Sequence, residues 1–110
     1  MSGSSNTFSY DFRAQDISCE KLIFNTQLAS PKEHVISRLS EGDVLEVFIS
    51  NHGGQAIVFA AWNGEVAGGI ASEYLPRLRM CLQGGTDYIA TVRSIVGGQV
   101  HVRVSPRLAA

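Results

Sequence analysis

Short apolar runs separated by glycine, asparagine and serine clusters fill this chain, and the period of each run predicts its element. Phe8-Ser9-Tyr10-Asp11-Phe12 alternates apolar with polar positions and predicts a short edge strand. Residues 20–27, carrying Leu22-Ile23-Phe24-Asn25-Thr26, predict the first long strand. Ser30-Pro31-Lys32-Glu33 then has the composition of a capping box, with Ser30 as cap, Pro31 at the first helical position and Glu33 reaching back. The helix it opens should bury Val35, Ile36 and Leu39 and end near Ser40-Glu41-Gly42. From residue 43 to 50 the apolar run Val44, Leu45, Val47, Phe48, Ile49, broken only by Glu46, predicts a strand buried on both faces.

Asn51-His52-Gly53-Gly54 supplies turn residues before a second apolar strand over 55–62. Asn63-Gly64 is a strong type I′ hairpin signal, and Val66-Ala67-Gly68-Gly69-Ile70 is the return strand, whose glycines point to a bulge or a close backbone approach. A second helix spans about 75–83, with Pro76 in its first turn, Leu75, Leu78 and Leu82 as its buried stripe and Gly84-Gly85 closing it. Strands over 86–96 and 99–104 follow, joined at Gly97-Gly98. A two-residue loop there would put Val92 and Val96 on the face of His101 and Arg103. A three-residue loop ending on a left-handed Gly98 restores the parity: Ala90, Val92 and Val96 face inward with Val100, Val102 and Val104, and Thr91 and Arg93 face outward with His101 and Arg103.

The predicted order is β-α-β-β-β-α-β-β, which reads as one unit twice. Leu28-Ala29-Ser30 matches Ile70-Ala71-Ser72, Gly42-Asp43 matches Gly85-Thr86, and Gly53-Gly54 matches Gly97-Gly98. One βαββ unit has too little core to fold alone. The expected fold is therefore mainly β, a small six-stranded barrel of two βαββ repeats with two helices, over residues 18–105. Residues 1–17 read as a flexible leader and 106–110 as a short tail.

Composition changes this picture little. Of the 110 residues 45% are hydrophobic, and no apolar run approaches the roughly 20 residues of a membrane-spanning helix, so no membrane partner is expected. Net charge is -1, from four basic and seven acidic residues in 1–55 against five and three in 56–110. That balance does not favour a partner held by many phosphate contacts. The first residues lack a basic start followed by an apolar stretch, from which a cytoplasmic, reducing location follows, with Cys19 and Cys81 as thiols and Cys81 as a packing residue.

No catalytic constellation emerges, and the expectation is of no enzyme. His34, His52 and His101 lie in no motif; Cys81, His101 and Asp87 form a triad only on paper. No paired His or Cys at metal-ligand spacing occurs and no phosphate-loop pattern accompanies the glycine pairs, so neither metal nor cofactor is expected. What remains is a polar strip on the last hairpin, Thr91, Arg93, His101 and Arg103, with Arg77 and Arg79 on the second helix and Tyr88 nearby. Arginines beside an aromatic ring suit a phosphate and a stacked base, while the same residues are ordinary on the outside of a half-exposed sheet.

Leu39-Ser40-Glu41-Gly42-Asp43-Val44-Leu45, Asn51 followed by Gln55-Ala56-Ile57-Val58, and Val66-Ala67-Gly68 together resemble a HIRAN-type domain. That family is a six-stranded barrel with two helices, found beside Swi/Snf-type remodelling ATPases and nucleases and also as stand-alone bacterial proteins. The resemblance implies recognition of single-stranded DNA ends and carries Asn51 over as a ligand contact, although His52-Gly53-Gly54 stands where the family has Tyr-Asp. Gly42-Asp43 after a helix also resembles the turn of cradle-loop barrels, which implies dimerisation and an adaptor role. The expected function is a non-enzymatic binding module for single-stranded DNA or a protein partner through Asn51, His52, Tyr88, Arg93, His101 and Arg103. The alternative is a self-associating structural or adaptor homodimer.

Overall fold

A computed structural model describes residues 17–107; the strand predicted at Phe8–Phe12 and the last residues of the tail lie outside them. The elements are β1 (Phe24–Ala29), α1 (Glu33–Ile36), β2 (Val44–His52), β3 (Gln55–Trp62), β4 (Glu65–Ile70), α2 (Leu75–Gln83), β5 (Tyr88–Val96) and β6 (Gln99–Pro106). A single 3-10 turn, Cys19–Lys21, precedes them. The six strands form one antiparallel sheet that closes into a ring in the order β1-β4-β3-β2-β5-β6. Exchanging β1 with β4, β2 with β5 and β3 with β6 maps this set of pairings onto itself.

Closure lets small strands bury one face each. The ring interior holds Phe24 and Leu28 of β1, Leu45 and Val47 of β2, Val58 and Ala60 of β3, Ala67 and Ile70 of β4, Tyr88, Ala90 and Val92 of β5, and Val100, Val102 and Val104 of β6. Val35 and Ile36 of α1 and Leu78 and Cys81 of α2 complete the same core. Among the described residues no helix is long and apolar enough to cross a membrane.

Several local expectations yield to tertiary pairing. The first helix is one turn. Ser30 sits at φ 48, outside a cap conformation, and the cap position is Lys32, whose amide donates to Ala67 O at 2.8 Å. That bond to β4 sets the approach of the chain and displaces the capping box. β2 is not buried on both faces: Leu45 and Val47 point inward, while Val44 is 49% exposed and Glu46 is also outside. Asn51 and His52 belong to β2, and the turn is Gly53-Gly54 alone.

The last hairpin turns on Gly97 and Gly98, both at positive φ, so its loop has two residues. Parity is restored instead by a bulge: Val92 faces Val102, Ser94 faces His101, and Arg93 is the extra residue. Ile95 opposite Val100 therefore packs against the core, whereas Val96, expected inside, is 66% exposed.

The β1–β4 seam is the narrowest joint of the ring, with the register pairs Leu28–Ile70 and Ala29–Gly69. Gly68 stands beside it, and a Cβ there would lie 3.0 Å from Ala29 O and 3.1 Å from Leu28 Cβ. Close approach at this joint requires glycine. Gly68→Ala should lower the unfolding free energy by about 1–3 kcal/mol, the usual cost of overpacking, read as a fall in the urea midpoint. A midpoint equal to that of the unaltered chain would show that the seam is looser than described.

Candidate nucleic-acid interface

The outward positions of β1, β6 and the bulged part of β5 form a continuous polar surface. Asn25 is opposite Arg103 and Gln27 is opposite His101 across the β1–β6 pair; on the other side Arg103 is opposite Thr91 and His101 is opposite Ser94. Each side chain is placed by the two-residue period of its strand: Phe24, Thr26 and Leu28 lean inward, so Asn25 and Gln27 must lean out. The bulge adds Arg93 to the same surface. Asn25, Thr26, Gln27, Arg93, His101 and Val102 line an open depression of about 420 Å³ in which no lining residue is acidic.

Charge pairing engages other arginines of the molecule. Arg38 donates to Glu65 at 2.9 Å and lies over Trp62, and Arg107 stands 3.8 Å from Glu46. The Arg38 hydrogen bond, its charge and the nearby His34 hold the Glu65 carboxyl below its usual range. Among the described residues Arg93 and Arg103 form no ion pair, so their guanidinium groups are available to an anion.

The other predicted residues do not join them. β2 and β5 pair only over Val44–Val47 and Tyr88–Thr91, and they run antiparallel. The β2–β3 hairpin tip therefore projects beyond one end of that seam and the β5–β6 tip beyond the other. Asn51 and His52 belong to the first tip, where His52 meets the Phe59 ring edge-on at 5.4 Å and Arg79 lies beside Gln55 and Ala56.

Tyr88 belongs to neither group. It is 1% exposed, its hydroxyl donates to Cys19 O at 2.6 Å, and burial pushes its pKa up. It offers no ring face for stacking. Arg77 is likewise engaged, donating from Nε to Ile17 O at 2.8 Å.

The cysteines correct a further expectation. Cys19 and Cys81 are bonded to each other, so neither is a thiol and the triad of Cys81, His101 and Asp87 has no nucleophile. A spacing of 62 residues carries no local signal of this pairing. Asn25 and Gln27 were legible as polar positions, but only the β1–β6 register places them beside the arginines.

Comparison with protein-family models, with curated proteins and with solved structures finds no match to this chain. The reading of the site therefore rests on its own geometry.

Proposed function

We propose that this protein is a non-enzymatic, HIRAN-like binding module that holds single-stranded DNA on the β1–β6–β5 surface. The observation that carries the reading is the pair of unpaired arginines, Arg93 and Arg103, flanking His101 beside the outward amides of Asn25 and Gln27. The arginines suit phosphates; the amides and the imidazole supply hydrogen bonds to base edges. Among the described residues the strip carries no exposed aromatic platform, so the affinity they supply comes from charge, and the module takes a single strand whose bases are already unstacked. The ring itself we read as a small barrel made of two βαββ repeats. Its pairing symmetry supports that reading, as does the way Leu28 of one unit meets Ile70, its counterpart in the other.

A fluorescently labelled short single strand, titrated by anisotropy at several salt concentrations, tests the proposal. Two phosphate contacts give a slope of about -1.4 in log K against log salt. Arg93→Ala with Arg103→Ala should abolish binding at low salt and leave the fold intact. Binding that persists in the double variant, or that ignores salt, overturns the reading.

A second reading, self-association, is favoured by one feature. Phe48 and Phe59 pair on the outside of β2 and β3 with ring centroids 5.5 Å apart, and both are only half-buried. Sedimentation across a concentration series separates the two readings: a dimer that binds no strand supports the second.

A further inference from the structure

The segment Ile17–Lys21 belongs to no strand of the ring, yet three fastenings hold it against α2 and β5. Cys19 is bonded to Cys81 of α2, Arg77 of α2 donates to Ile17 O, and Tyr88 of β5 donates to Cys19 O. Its own packing, against β6 and the edge of the core, rests on two side chains. Ile17 and Cys19 are partly buried, whereas Ser18, Glu20 and Lys21 are exposed. The two hydrogen bonds are partly buried, and each contributes little net because water takes its place once the segment leaves, so the covalent bond does most of the holding. Leu22, the next residue, is fully buried and marks where the chain enters the core. The two cysteines also differ in exposure: Cys81 is 1% exposed and Cys19 is the partly exposed partner.

We propose that Ile17–Lys21 is a redox-released strap: a dithiol reductant opens the Cys19–Cys81 bond, frees the segment and uncovers Tyr88 and Arg77 while the six-stranded ring stays closed. One thiolate of the reductant attacks Sγ of Cys19; the S–S bond breaks and its electron pair leaves on Sγ of Cys81, which takes up a proton. The reductant's second thiolate then attacks the mixed disulfide, and Sγ of Cys19 leaves and is protonated. Two electrons have passed to the protein, and the reductant ends as its own disulfide. No ring pairing involves the strap, so its departure leaves every strand with its partners.

The full chain, oxidised or treated with dithiothreitol, is exposed to trypsin well below the melting temperature of the reduced form, and fragments are mapped by mass. Cleavage after Lys21 should run at least tenfold faster in the reduced chain, with the near-ultraviolet signal of Trp62 retained. The Cys19→Ser, Cys81→Ala double variant should match the reduced chain without reductant. Equal cleavage rates in both redox forms overturn the proposal. So does loss of the Trp62 signal with cleavage throughout the strands, which would make the bond a plain staple of the whole fold.

Discussion

Replacing Cys19 by serine and Cys81 by alanine should lower the unfolding free energy by about 4 kcal/mol, the loop-closure value for a cross-link spanning 62 residues. For a domain of this size that corresponds to a fall in melting temperature of roughly 15–30 °C. The effect arises in the unfolded chain, which regains the freedom that the bond had removed. Much of the chain from β1 to α2 lies between the two cysteines, so the bond restricts the unfolded state across both halves of the ring. Thermal melts followed by circular dichroism give the check: the oxidised chain should lose stability on adding reductant, and the variant should not respond. Equal melting temperatures with and without reductant would mean that the bond constrains nothing the fold needs.

Leu45→Ala is the second large loss, about 2–5 kcal/mol. Leu45 is fully buried on β2, and its register partner across the β2–β5 seam is Ala90, itself without exposure. Ala60 and Ala67 are also fully buried in the same interior. Small neighbours on a closed ring cannot collapse into the space a leucine leaves, so the cost should fall in the upper part of that range. Leu39, 8% exposed beyond α1, has room to relax, and Leu39→Ala should cost visibly less. Urea unfolding monitored at Trp62 orders the two variants; a smaller loss at Leu45 than at Leu39 would place the core elsewhere.

These two sites mark the range of what the chain displays in its sequence. Leu45 lies in an apolar run that announces a strand, and the order of all eight elements follows from such runs and from the glycine turns between them. The β2 run nevertheless misleads about faces, because Val44 and Phe48 are apolar residues on an outer surface that the ring leaves partly open. The Ser30 box loses to a hydrogen bond between Lys32 and Ala67, a contact 35 positions apart along the chain that no local pattern contains. A bulge at Arg93 and a longer loop at Gly98 insert the same single residue, so periodicity alone cannot separate them; the choice decides whether Ile95 or Val96 is buried.

The site divides in the same way. His101 and Arg103 are legible because strict alternation with Val100, Val102 and Val104 marks them as outward, and Arg93 because it alternates with Ala90 and Val92. Asn51 enters by a resemblance to a family motif and His52 by its place in the same turn, and the antiparallel β2–β5 seam sends both to the opposite end. Tyr88 looked available by its neighbours in sequence, and only the strap carrying Cys19 explains its burial.

The most direct measurement of the proposed interface is a backbone amide NMR titration of the oxidised chain with a short single-stranded oligonucleotide at low salt. Shifts should concentrate at Asn25, Gln27, Arg93, His101 and Arg103, with the β2–β3 hairpin unaffected. Shifts centred on Asn51 and His52, or no shifts at all, would contradict it.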